Sequence, residues 1–352
     1  MTDHEVTCPA VASDLSDMGS CTCKFSKQHV DPLRLYDNTR VSDFKRCPRY
    51  FMFRHEFHWQ PTGKRVPLIF GSGWHAAMEV IWGNYGKVPK HVLAERALGA
   101  FLQVWCGEGM PAPAEIDFEM EKELSPRTPG RAFEMIVSYI DARASRMADL
   151  EVLAIERPFA VPLDPNDDTL FYVGKIDKIV KDRSKIIGIE HKTTTAYKKN
   201  GPFRAGFTDS FSPNSQVDGY LYALHLMFPN QAGSIWVDAA LVHKQEEGFI
   251  FIPIERQLRH LDSWLWEVRE WIDLIEKNRE MLKSTQPDHS YLSAFPKNTN
   301  SCWDFAAACP YLDLCKAWPN PKGYDVPAGY EVSKWDPLEH VKGLDKVVGR
   351  DG

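Results

Sequence analysis

Regular patterning of apolar and polar positions starts only past residue 30, and residues 1–30 are expected to form a flexible arm. After Ser42, an N-capping residue type, Phe44, Cys47, Phe51 and Arg54 fall along one face and predict a short helix, bent or restarted at Pro48. Trp74, Met78, Ile81 and Trp82 recur at helical spacing from Gly71 or Ser72. Further helices fit 91–106 and 131–149, the second with Phe133, Ile136, Val137, Ile140 and Ala144 in period. The period then changes. Runs over 152–162, 170–181 and 185–193 are β-rich and are separated by turn formers, Asp164-Pro165-Asn166-Asp167-Asp168 and Asp182-Arg183-Ser184. A helix at 214–228, strands at 235–243 and 248–254, and a long amphipathic helix at 257–283 with Leu258, Leu261, Leu265, Val268, Ile272 and Ile275 inward complete the pattern. Helix, three strands, helix, strand predicts an α/β fold with a mixed central sheet flanked by helices, formed as one domain over 31–318. The Pro/Gly-rich stretch 319–352 is expected to be a loosely ordered tail.

If the second and third strands form a hairpin about Arg183-Ser184, Asp177 falls directly opposite Glu190, and Lys192 shares the face of Glu190. Two opposed carboxylates repel by some tenths to about 1 kcal/mol unless a cation lies between them. Carboxylate oxygens select hard ions such as Mg²⁺ or Mn²⁺, and a lysine beside a metal-bound water can stabilise charge building on a phosphorus centre. Asp…Glu-x-Lys is commonplace on solvated strands when taken alone, so its neighbours decide. Gln216 and Tyr220 lie one turn apart on the following helix. His75 and Glu79 do the same on the preceding one, where His75 is a candidate ligand and Glu79 the acceptor behind it.

The 352-residue chain carries 42 Lys+Arg against 48 Asp+Glu, a formal charge of −6, which excludes a protein that coats nucleic acid indiscriminately. Locally the balance reverses: from Lys24 to Arg65 there are ten basic residues and four acidic ones, and Arg49, Arg54, Lys64 and Arg65 are candidate DNA contacts. No apolar run approaches a membrane span and the first residues lack the order of a signal peptide, so a cytoplasmic location is expected. There is no internal repeat and no Walker-type phosphate loop. Of eight cysteines, Cys302, Cys309 and Cys315 form a tight late group and Cys47 stands in a Cys-Pro step far upstream. Four thiolates could hold an iron-sulfur cluster or zinc, or could remain free in the core. Cys8, Cys21 and Cys23, with His4 and His29, are a weaker zinc candidate in the N-terminal arm.

Gly71-x3-His75-x3-Glu79, Gly174-x2-Asp177, Glu190-x-Lys192-Thr193 and Gln216-x3-Tyr220 occur in an order that resembles the RecB-type nucleases of the PD-(D/E)XK superfamily. Ser42-x4-Cys47-Pro48-Arg49-Tyr50-Phe51, with the three late cysteines, is similar to the branch that holds a 4Fe-4S cluster, including the nuclease domain of AddB and CRISPR-adaptation nucleases. Ile176 stands where the superfamily's name has proline, and Cys302-x6-Cys309 is longer than the Cys-x2-Cys of that branch. The resemblance spans about residues 42 to 318. It implies His75, Asp177 and Glu190 as metal ligands, Lys192 as catalytic lysine, Gln216 and Tyr220 as residues ordering the site, and a cluster on Cys47, Cys302, Cys309 and Cys315. The expected activity is that of a Mg²⁺- or Mn²⁺-dependent DNA exonuclease acting on single-stranded ends, with a recombination or helicase partner, in repair, recombination or phage DNA metabolism. The alternatives are a structure-specific endonuclease or processor of DNA intermediates, and an inactive DNA-binding protein on a nuclease fold.

Overall fold

The computed structural model describes residues 33–198, 201, 203–304 and 307–337. The arm and the zinc candidate at Cys8, Cys21 and Cys23 lie outside the described residues. In chain order the elements are β1 (Arg34–Tyr36), α1 (Asn38–Arg46), α2 (Pro48–Phe51), β2 (Trp59–Pro61), α3 (Val66–Asn84), α4 (Lys90–Gly107), α5 (Phe118–Leu124), α6 (Pro129–Asp149), β3 (Glu151–Asp164), β4 (Asp167–Asp182), β5 (Lys185–Thr194), α7 (Ala205–Thr208), α8 (Ser215–Met227), β6 (Ala232–Leu241), β7 (Phe249–Ile254), α9 (Leu258–Ser284), β8 (Trp303–Asp304), β9 (Ala307–Ala308), α10 (Leu312–Ala317) and β10 (Tyr330–Val332). The main sheet runs β1-β4-β5-β6-β7, with β3 on the other side of β4. It is mixed: β1 is parallel to β4 and β5 to β6, while the β3–β4, β4–β5 and β6–β7 pairs are antiparallel.

One face of this sheet, through Val180, Ile187, Ile189, Ala240 and Val242, packs on α3, α4 and α6 around Trp74, Phe101, Trp105 and Tyr139. The other, through Tyr172, Ile176, Ile186, Ile235 and Val237, packs on α1, α2, α8 and α9. Because β3 follows β4 along nearly its whole length, β1 and β5 share the opposite edge of β4, β1 at residues 170–172 and β5 at residues 178–182. Residues 173–177 of β4 lie in the gap between them, and Asp177 stands at its end. Among the described strands, that edge of β4 is unpaired across the gap.

Three expectations need correcting. The cap of α1 is Asp37, whose carboxylate accepts the Arg40 N–H at 2.8 Å, while Ser42 lies mid-helix and donates to Asn38. Leu258 is 64% exposed because α9 begins there, before its buried stripe of Leu261, Trp264, Val268, Ile272 and Ile275. The segment after residue 318 is not a loose tail over 319–337: β10 pairs with β2, the Tyr330 ring stacks on Tyr311, and the Trp335 indole N–H donates to Asp37 at 2.7 Å. Aromatic side chains supply a large contact area for ordering such an irregular stretch, which a Pro/Gly count does not register. Among the described residues, no helix is long and apolar enough to cross a membrane.

Candidate active site

The β4–β5 hairpin has the register expected, turning at Arg183, whose φ of 56° closes the two-residue link between Asp182 and Lys185. The ladder stops one pair short of Asp177 and Glu190, at Lys178 and Ile189. From there β5 belongs to β6, with Glu190 beside Val237. The Asp177 carboxylate takes the place of a ladder acceptor and receives the His191 N–H at 2.7 Å. His191 itself is fully buried near Tyr139 and Trp82.

Helix α3 crosses this opening and brings His75 Nδ1 to 3.2 Å from Asp177 Oδ2. From the other side, α8 is capped by Asn214, whose side chain accepts the Gln216 and Val217 N–H groups at 3.0 and 3.2 Å. That cap presents Gln216 to β5. Its amide N–H donates to Glu190 Oε1 at 3.1 Å and to the Tyr220 hydroxyl at 2.9 Å, while its carbonyl accepts from Lys192 at 3.2 Å. Lys192 also donates to Glu190 Oε1 at 2.5 Å. All six residues expected at the site, His75, Asp177, Glu190, Lys192, Gln216 and Tyr220, therefore converge.

A seventh was missed. Glu156 on β3 lies opposite Asp177, between the pairs Ile155–Lys178 and Arg157–Ile176, with a φ of 51° that is uncommon for a non-glycine residue in a strand. Ligand atoms of His75, Glu156 and Asp177 lie within 4.8 Å of one another, forming one candidate metal group among the described residues; Glu190 stands outside it, held by Lys192 and Gln216. The available signal was one acid in an otherwise apolar run, Val152-Leu153-Ala154-Ile155. Among the described residues no hydrogen bond links Glu79 to His75. The charged groups around Glu79 are Glu156, Lys178, Lys175 and Asp177, and burial, helped by Glu156, raises its carboxyl.

Burial would raise the Asp177 carboxyl, but His75 beside it, with Lys178 and His191, outweighs this and holds it far below the usual range. Burial and then the charge of Asp177 raise Glu190, with Lys192 opposing. Burial would lower Lys192, yet Glu190 outweighs it and raises the ammonium. Among the described residues, one buried oxygen each of Glu156 and Glu190 has no hydrogen-bond partner. Such acceptors are expensive to leave unpaired, and a donor set of imidazole and carboxylates fits a hard divalent ion.

The DNA contacts expected at Arg49 and Arg54 are not available. Arg49 is buried and donates to the Phe295 carbonyl at 2.9 Å. Arg54 pairs with Asp43 at 2.9 Å and lies over the Trp335 ring. Both arginines bind their own fold because short basic-aromatic segments also serve as core helices. Lys64 and Arg65 are exposed, and the Lys64 ammonium donates to the Gly109 carbonyl. Elsewhere, Cys47, Cys302, Cys309 and Cys315 line one pocket with Arg46, Tyr50 and Tyr311. Burial raises the Cys315 thiol to about 11 and also raises Cys309.

The mixed sheet, flanking helices and acid-lysine notch define the PD-(D/E)XK class of nuclease. The chain belongs to the PD-(D/E)XK nuclease superfamily, whose sequence profile matches residues 38–316. Nucleases of this superfamily generally use divalent metals and bind DNA. Among solved structures, the chain is similar to a protein of Eubacterium rectale provisionally described as an exonuclease, at 12% identity and a TM-score of 0.43 over 67% of this chain and 79% of that one. It is also similar to SSO0001, at 14% identity and a TM-score of 0.30 over 70% and 79%. No curated protein matches.

Proposed function

We propose that this protein is a metal-dependent DNA exonuclease acting on single-stranded ends, with His75, Asp177 and Glu190 as metal ligands and Glu156 as a further carboxylate at the ion. The observation that carries the reading is the convergence of these groups on Lys192 in one notch, with buried carboxylate oxygens lacking any protein partner. A bound divalent ion supplies a more acidic water and neutralises phosphate charge. The chain's own residues supply the rest. Lys192 places an ammonium where negative charge builds on the scissile phosphate, and Gln216, fixed by Tyr220, holds Glu190 and Lys192 in mutual register.

The four cysteines support a second cofactor, a 4Fe-4S cluster joining the start of α2 to the C-terminal segment. All four cysteines line one pocket, and four thiolates are the ligand set that such a cluster requires. The Asn298 N–H points at Cys47 Sγ from 3.3 Å, a donor of the kind that tunes cluster sulfurs. In this reading the cluster is a clasp that fastens the two ends around the nuclease core. Iron and acid-labile sulfide contents near zero after anaerobic purification would remove it.

The activity test is cleavage of end-labelled linear single-stranded DNA with Mn²⁺, with Glu190→Ala beside it. Cleavage by the parent alone supports the reading, and the label gives polarity. Equal cleavage of circular single-stranded DNA would replace it with an endonuclease. Inactivity on linear and circular DNA of either strandedness would replace it with a DNA-binding protein on an inactive nuclease fold.

A further inference from the structure

With Arg49 and Arg54 committed to the fold, the structure offers another basic surface, beyond the catalytic strand. β5 and β6 are parallel, Lys192 lying beside Ala239 and Thr194 beside Leu241, so both strands deliver their following loops to the sheet edge that carries the lysine. Residues 195–204 contain three basic side chains, Lys198, Lys199 and Arg204, and no acid, in a chain of charge −6, while the loop after β6 adds Lys244 beside Glu246 and Glu247, the latter paired with Arg131. Lys198, Arg204 and, on the neighbouring loop, Lys244 are exposed. Among the described residues neither Lys198 nor Lys244 has an ion-pair partner. The Val242 N–H donates to Thr194 at 2.7 Å and holds the two loops side by side, and the first loop is closed on itself by Arg204, whose N–H donates to Ala196 and whose Nε donates to the Tyr197 carbonyl, both at 2.9 Å. The Tyr197 ring stacks on His243, centroids 4.6 Å and planes 23° apart.

We infer that these two loops form a subsite for single-stranded DNA. Lys198, Arg204 and Lys244 neutralise backbone phosphates beyond the scissile one, and the half-buried Tyr197–His243 stack offers a ring surface to a base. The inference rests on the nuclease reading, and its test separates the two. Affinity for oligothymidylate is measured against salt, with Glu190→Ala as the non-cleaving parent. Adding Lys198→Glu and Lys244→Glu should weaken binding and reduce the salt slope by about 1.4, at about 0.7 per single-strand phosphate contact. Tyr197→Leu should weaken binding at unchanged slope. Lys185→Glu makes the charge reversal of one of these lysines at the start of β5, about 30 Å away at 3.3 Å per residue, and should behave as the parent. Unchanged affinity and slope in the double lysine variant, or an equal effect of Lys185→Glu, overturns the subsite while leaving the nuclease. A wild-type protein that neither binds nor cuts DNA sinks both.

Discussion

Lys192→Ala separates catalysis from folding. The ammonium makes two bonds, to Glu190 at 2.5 Å and to Gln216 at 3.2 Å, on a side chain that is about a third exposed. Losing the charged bond removes about 1.5–3 kcal/mol, and the bond to the neutral amide about 1 kcal/mol more. Two features reduce the net loss. Glu190 keeps the Gln216 N–H, and its carboxyl, already raised by burial and Asp177, can take up a proton instead of remaining a bare buried charge. A net loss near 2 kcal/mol of folding stability is expected, which a domain of this size tolerates. The chemical step loses the cation facing the transition state, which is worth about 10²–10³ in rate. Single-turnover cleavage at saturating Mn²⁺ and DNA, alongside urea unfolding, measures both effects. A Lys192→Ala enzyme cutting within tenfold of the parent would remove Lys192 from the mechanism, whatever its stability.

Glu156→Gln should raise the Mn²⁺ concentration for half-maximal activity by at least about tenfold, and an unchanged requirement would exclude Glu156 from the site. Gly219→Ala places a methyl 2.7 Å from Tyr172 and 2.9 Å from Trp264, both buried, so α8 must shift. We expect about 1–3 kcal/mol of destabilisation and impaired cleavage, because Gln216 and Tyr220 ride on that helix, whereas Gly99→Ala, with open space around it, should be neutral or better in the same melts. His191 is fully buried and held well below its ordinary value by desolvation, then by Lys178, so the folded state refuses a proton that the unfolded chain accepts below about pH 6.5. Its contribution is complete above that pH and is lost on acidification toward its lower folded value. The unfolding free energy of His191→Leu should fall less steeply between pH 6.5 and 5 than that of the parent, and parallel curves would refute the assignment. Cys309→Ala should lose visible-range absorbance and stability together, and loss of neither would argue for independent thiols.

What could be read in the chain and what could not divide along sequence separation. Asp177, Glu190 and Lys192 belong to one hairpin, so strand alternation and a two-residue turn suffice to bring them together, and helical period does the same for Gln216 with Tyr220. Glu156 needed the register of β3 on β4, which depends on the bulge between Val152 and Ala154 and cannot be counted from the turn alone. Arg49 and Arg54 failed for the converse reason. Phe295 and Trp335 lie more than two hundred residues from them, and although Asp43 is only 11 residues from Arg54, no local pattern distinguishes an arginine that binds phosphate from one that closes a fold. The same holds for 319–337, ordered by ring contacts to Tyr311 and Trp318 that a Pro/Gly-rich stretch does not announce.

The opening between β1 and β5 joins these observations. A fully paired β4 would give every backbone group a partner and would press Asp177 against Glu190, at an electrostatic penalty. Ending the ladder at Lys178 relieves that opposition, lets Asp177 itself accept the His191 N–H, and leaves room for His75 from α3 and Gln216 from α8 on either side. It also leaves Glu156 and Glu190 with buried oxygens that no protein donor reaches. The arrangement is therefore less stable by itself than a closed sheet and more stable when a cation is bound. Ligand binding to the folded state alone adds stability in proportion to the logarithm of its saturation. If the proposed function holds, the interruption that opens the site to a phosphodiester also couples the stability of the core to the ion.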